Sequence, residues 1–255
     1  MSFKRIIARL DIKNHNVIKG IQMDGLRVIG PAQELAKRYY LDGADELIMM
    51  DVVASLYGRE AIAEIIRDVT TQCFIPITVG GGIRSLADAD LLFRAGADKV
   101  AVNTGANARP SLITEIAEKY GSQAVIVHID AKKSESGGWE AYTESGRNST
   151  GIDVCDWIPK AIDHGAGEVL VTSVDQDGTR KGLNRDLLTT VGRLVSVPLV
   201  LSGGTTDAAD AAGVLELNET DGIAVGAALH YRTTTVPDIR EKCRELGVNV
   251  RELVA

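Results

Sequence analysis

The sequence predicts a single (β/α)8 barrel, a TIM barrel, assembled from two similar halves. Three observations predict it. Eight short apolar runs punctuate the chain, and each is followed by a segment of helical character, the alternation expected of a parallel sheet. The length, 255 residues, suits one closed eight-stranded barrel. The two halves also repeat each other.

The predicted strands are 6–11, 47–51, 77–80, 99–102, 125–130, 168–172, 199–202 and 222–225. Most are nearly continuous in Ile, Val, Leu and Ala, as strands buried on both faces should be. The intervening segments read as amphipathic helices. Ser85 is a good cap for a helix beginning at Leu86, and Pro110-Ser111 opens another, with Pro in a favoured first-turn setting. The repeat is direct. Ile75-Pro-Ile-Thr-Val-Gly-Gly-Gly-Ile83 matches Val197-Pro-Leu-Val-Leu-Ser-Gly-Gly-Thr205, and Asp42-Gly-Ala-Asp-Glu-Leu-Ile48 matches His164-Gly-Ala-Gly-Glu-Val-Leu170, both displaced by 122 residues. Asp11-Ile-Lys and Asp130-Ala-Lys are displaced by 119. These matches predict one domain over residues 1–255, with half-barrels of about 1–122 and 123–255. Residues 134–138 read as the best loop, after the fifth strand, and 24–31 belong to the connection after the first.

Hydrophobic residues make up 45% of the chain, enough for a large core, and the net charge is −7. That balance argues against general nucleic-acid binding, which wants a basic face. It leaves an anionic substrate open, because clustered backbone amides bind phosphate on an acidic protein. Cys73, Cys155 and Cys243 are odd in number and lack metal or redox spacing, so reduced thiols are expected. His15, His128, His164 and His230 show no ligand spacing, and no metal is expected. The first residues carry no apolar run long enough for a signal peptide or membrane span, and a cytoplasmic enzyme is expected.

Asp11 and Asp130 end the first and fifth strands, which stand opposite each other in an eight-stranded barrel. Two carboxylates across one mouth suit acid–base catalysis. Either aspartate alone could be a cap or a salt-bridge partner; the repeat favours chemistry. Exchange of either for Asn is expected to abolish turnover and leave stability largely unchanged. Gly81 and Gly82 follow the third strand, and Ser202, Gly203 and Gly204 repeat that setting after the seventh. Such loops let backbone N–H groups approach an anion, so two phosphate sites are expected; ligand-free tight turns are the other reading. Asn103 and Thr104, and Gly226 and Ala227, follow the fourth and eighth strands and could complete the sites. Lys19 reads either as a mobile phosphate clamp on the first loop or as a solvated lysine. Asp51 would orient neighbours, and Asp177-Gly178-Thr179 reads as a turn that could touch a ribose hydroxyl or phosphate. His128 shares the strand face of Asp130 and reads as barrel filling. At the other end Arg5, Glu46, Lys99 and Glu168 begin four strands, either as a ring or as ordinary salt bridges.

With these residues in view, the chain resembles the cyclase subunit of imidazole glycerol phosphate synthase from about residue 4 to 251. The likeness is carried by Arg5-Ile-Ile-Ala-Arg-Leu-Asp-Ile12, Val17-Ile-Lys-Gly20, Thr78-Val-Gly-Gly-Gly-Ile-Arg84, Gly96-Ala-Asp-Lys-Val-Ala-Val-Asn-Thr104, Asp175-Gln-Asp-Gly-Thr179 and Gly247-Val-Asn-Val-Arg251. The resemblance implies a step of histidine biosynthesis. Ammonia from a partner glutaminase passes through the barrel and attacks a bisphosphorylated phosphoribulosyl-formimino-aminoimidazole carboxamide ribonucleotide. The products are imidazole glycerol phosphate and an aminoimidazole carboxamide ribotide, with no metal or organic cofactor. It also implies that Asp11 and Asp130 are the acid–base pair. Arg5, Glu46, Lys99 and Glu168 would form a charged ammonia gate, with Asp98 beside Lys99 on the partner face. The chain departs from the family pattern at Arg9, where Cys is usual, in Leu26-Arg-Val-Ile-Gly-Pro31, which lacks the usual acidic residues, and at Ala227, where serine is expected. The alternatives are a paralogous, ammonia-dependent enzyme of sugar amidation, and a non-catalytic activator of a glutaminase.

Overall fold

Among the described residues twelve strands form one sheet, and eight of them close on themselves. A computed structural model describes residues 3–52, 60–135 and 137–252. In chain order the strands are β1 (Arg5–Lys13), β2 (Asn16–Ile21), β3 (Asp24–Pro31), β4 (Glu46–Asp51), β5 (Ile77–Gly80), β6 (Lys99–Val102), β7 (Val125–Lys133), β8 (Trp139–Thr143), β9 (Asn148–Asp153), β10 (Glu168–Ser173), β11 (Leu199–Ser202) and β12 (Gly222–Val225). The ring runs β1-β4-β5-β6-β7-β10-β11-β12 and back to β1, every pair parallel. The fold is a (β/α)8 barrel, as expected, and β1 and β7 stand on opposite sides of it.

Strand alternation divides the core in two. On β1, Ile6, Ala8 and Leu10 face outward and join the helices in a large apolar layer. Ile7 faces inward with Ile48, Met50, Ala101, Ile126, Leu170, Val200 and Ala224, which fill the lumen. The sequence also sets the helix starts. Ser85 caps helix Leu86–Ala95 and closes a capping box with Asp88. Pro110, with helical angles, immediately precedes helix Ser111–Tyr120.

The connections after the first and fifth barrel strands carry antiparallel hairpins, and the described residues of the expected loop 134–138 are the turn between β7 and β8. β2 and β3 fold back on β1, and β8 and β9 fold back on β7, so the same extension follows the first strand of each half. Residues 24–31, expected as a connection, are therefore a strand. It escapes an apolar-pattern search because nearly all its residues are exposed or half-buried. Of the expected loop 134–138, Ser136 lies outside the described residues. Among the described residues, no helix is long and apolar enough to cross a membrane.

Candidate active site

Inward-facing positions on β1 and β7 carry Asp11 and Asp130 to the C-terminal rim of the barrel, and both are buried. Their environments are opposite. Asp11 Oδ1 accepts from Arg9 Nε at 2.9 Å, and Oδ2 accepts from Lys19 Nζ at 2.7 Å. Burial pushes this carboxyl up, but the two cations outweigh it and hold it far below the usual carboxylate range. Among the described residues no cation contacts Asp130. Asn103 Nδ2 donates to its Oδ2 at 3.1 Å, while the buried Oδ1 lacks a hydrogen bond among the described residues. Burial, aided by repulsion from Asp177 and Asp11, pushes its carboxyl up to about 7 against the pull of Arg9. One carboxylate is a fixed anion; the other changes protonation near neutrality.

Lys19 is buried rather than solvated. It sits in β2, 3% exposed, where its Nζ also meets both oxygens of Asp177 at 2.9 Å. Two carboxylates make its charge the stable form despite burial. Gln22 N donates to Asp177 O at 2.7 Å, which ties the first hairpin to the turn after β10.

The two glycine loops fold alike. Gly81 has φ +103°, and a side chain there would run into the Asp51 carbonyl. Gly203 has φ +96°, and a Cβ would lie 2.7 Å from the Ser173 carbonyl oxygen. Only glycine fits both, and both loops open onto the barrel mouth. One cavity is lined by Asp11, Asp130, Gly81, Gly82, Asn103 and Thr104, and Asp51 also borders it. A second is lined by Gly178, Ser202, Gly203, Gly204, Gly226 and Ala227, and Lys19 and Asp177 border both. Two expected phosphate ligands have their donors committed elsewhere. Asn103 holds Asp130 and the Tyr142 carbonyl, and Ser202 Oγ donates to Ala224 O at 3.0 Å. Thr104 Oγ1 accepts from Glu144 N at 3.2 Å, which leaves its hydroxyl hydrogen able to donate.

At the other end of the lumen the four expected charges form a closed square. Arg5 meets Glu46 at 2.7 Å and Glu168 at 2.9 Å; Lys99 meets Glu46 at 3.1 Å and Glu168 at 2.8 Å. Asp98 stands outside it. Its Oδ2 accepts from the Ile77 backbone N–H at 2.8 Å.

The model of the histidine biosynthesis protein family matches residues 5–235. The chain belongs to this family. Among similar proteins, the imidazole glycerol phosphate synthase subunit HisF of Legionella pneumophila is 54% identical over 204 residues, covering 80% of this chain and 96% of that protein. The HisF subunits of Halalkalibacterium halodurans and Geobacillus thermodenitrificans are 46% and 45% identical over 252 residues, covering 98% of this chain and all of theirs.

Within this histidine biosynthesis barrel, sequence reasoning missed several residues. Arg9 lies in the lumen, 4% exposed, and reaches Thr172 Oγ1 at 2.7 Å and Ser202 Oγ at 3.4 Å. Its signal was available: Ile7, Arg9 and Asp11 alternate along one strand, so an inward Asp11 places Arg9 inside. His128 also lies beside the site, its Nε2 3.0 Å from Thr172 Oγ1. Burial, then the charge of Arg9, pushes its imidazole down to about 3, so it is neutral. Arg84, Arg147 and Arg180 border the cavities, and no apolar period marks them.

Proposed function

We propose that this chain carries out the cyclase reaction of its HisF relatives, joining ammonia to a phosphoribulosyl-formimino-aminoimidazole carboxamide ribonucleotide. The observation that carries this reading is the opposed ionisation of Asp11 and Asp130 across one mouth flanked by two glycine loops. Ammonia adds to the ketone carbon of the substrate, and the ketone oxygen leaves as water once it has gained protons. The new nitrogen then attacks the formimino carbon, the imidazole ring closes, and the carboxamide ribotide departs as an amine that also gains a proton. Asp130, near half-protonated at neutral pH, gives and recovers these protons. Asp11, a permanent anion, balances positive charge on the attacking nitrogen. The two phosphates lie on the Gly81–Gly82 and Gly203–Gly204 loops, one on each side of the pair.

The partner in this reading is a glutaminase, forming a heterodimer at the N-terminal face. Phe3, Leu41, Phe74 and Leu246 are exposed at that end, close in sequence to the strand and helix termini beside the charged square. Ammonia enters through the square, which opens by parting one of its ion pairs. We read residues 1–122 and 123–255 as half-barrels that each supply one carboxylate and one anion loop. The free thiols Cys73, Cys155 and Cys243 support a cytoplasmic setting. The reaction uses no metal or organic cofactor.

Arg9 in the lumen favours a second reading, in which ammonia serves a sugar-amidating reaction. Rescue of a histidine auxotroph lacking its cyclase separates the two. Growth supports the cyclase; absence of growth, with folded protein present, removes it.

A further inference from the structure

A continuous chain of buried polar groups joins the two carboxylates. Arg9 Nε donates to Asp11 Oδ1 at 2.9 Å, and Arg9 Nη1 donates to Thr172 Oγ1 at 2.7 Å. Thr172 Oγ1 lies 3.0 Å from His128 Nε2, and that nitrogen stands 3.2 Å from Asp130 Oδ1. Arg9, Thr172 and His128 are all buried, and register places Thr172 directly beside Asp130 on the neighbouring strand.

Donor and acceptor arithmetic sets the protons along this chain. A guanidinium only donates, so Thr172 Oγ1 accepts from Arg9 and its own hydrogen is free for another partner. The other polar group in contact is His128 Nε2, which therefore accepts. The single proton of the neutral imidazole then sits on Nδ1. The one lone pair of Nε2 is then taken by the Thr172 hydroxyl, and Nε2 has no proton to offer Asp130 Oδ1, the oxygen without a hydrogen bond. An ionised Asp130 finds no donor in His128 and sets its negative charge against an electron-rich nitrogen; a protonated Asp130 avoids that repulsion.

We propose that Arg9, Thr172 and His128 form a relay of positioning residues that keeps Asp11 the anion and Asp130 the proton carrier of the pair. The relay crosses the lumen from β1 through β10 to β7. Other groups around it act in the same direction or are neutral. Lys19 on β2 supports the anionic Asp11, and Asp177, in the turn after β10, repels a second anion at Asp130. Asn103 after β6 is neutral, and so is His230 of helix Ala227–His230, whose imidazole burial pushes down to about 4. The direct pull of Arg9 on Asp130 and the hydrogen bond that Asn103 donates to its carboxylate oppose it.

Thr172→Val keeps the side-chain shape and removes the hydroxyl; Thr172→Ser keeps the hydroxyl. Nitrogen-15 NMR of labelled histidine reads the His128 tautomer, and carbon-13 NMR of labelled aspartate, assigned with Asp130→Asn, reads the Asp130 titration. Wild type and Thr172→Ser should show the Nδ1–H tautomer with Asp130 titrating near neutrality. Thr172→Val should switch His128 to Nε2–H, which now donates to the carboxylate, and lower the Asp130 titration by about one pH unit. A folded Thr172→Val protein with both readouts unchanged overturns the relay. If that protein does not fold, His128→Leu should lower the same titration by removing the electron-rich nitrogen, and an unchanged titration overturns the relay equally. The kinetic counterpart rests on the cyclase reading: the pH–kcat limb set by Asp130 should move down in Thr172→Val and return in Thr172→Ser. Absence of wild-type turnover counts against the cyclase reading, while the NMR results still decide the relay.

Discussion

Asp130→Asn should make the protein more stable while it destroys activity, and the gain should depend on pH. Burial pushes the Asp130 carboxyl up from 3.8 to about 7. Below 3.8 the group is protonated in both folded and unfolded chains and contributes no difference. Between 3.8 and 7 the unfolded chain has released its proton and the folded chain retains it, so stability falls as pH rises through that window. Above it the penalty is constant. At about 1.4 kcal/mol per pKa unit, the full penalty is ~4 kcal/mol. An Asn side chain carries no charge. Its oxygen can still accept from Asn103 Nδ2. Imperfect amide geometry takes back part of the gain, so the expected increase is ~2–4 kcal/mol at about pH 8 and well under half that near pH 4.5. Reversible urea unfolding of both proteins at the two pH values measures it. A gain no larger at the higher pH, or a loss there, would refute the reasoning.

Asp11→Asn should behave in the opposite way. It leaves Arg9 and Lys19 buried without their shared counter-ion, and should cost ~3–5 kcal/mol in the same unfolding assay above about pH 5. The expectation that both exchanges leave stability largely unchanged thus gives way to two effects of opposite sign. Lys99→Met should open the charged square, strand Glu46 and Glu168 with one partner each, and lower stability by ~2–4 kcal/mol. In a complex with the proposed glutaminase the same variant should let ammonia escape, read as glutamine consumed in excess of product formed.

The barrel strands were legible because burial on both faces leaves unbroken apolar runs, and even their ends agree closely. The first strand was expected to stop at residue 11 and runs to Lys13 because it continues into the hairpin, where Lys13 pairs with Asn16. The hairpins were not legible, since β3 and β9 have no buried face to impose a period of two. Asp11 and Asp130 could be found because the repeat marks them together. Their difference could not. It depends on which cations reach each carboxylate, and Arg9, Lys19, Thr172 and His128 come from four separate strands. The glycine loops were legible as pairs, yet the commitments of Asn103, Thr104 and Ser202 to internal bonds emerge only when the strands are assembled.

The most direct test of the account is turnover of the ribonucleotide with ammonium salt as the nitrogen source, using the isolated chain and its Asp11→Asn and Asp130→Asn variants. The account predicts imidazole glycerol phosphate from wild type, with an alkaline limb near the titration of Asp130, and a loss of at least about a hundredfold in either folded variant. No product from folded wild type, or undiminished product from the Asp130→Asn protein, would contradict it.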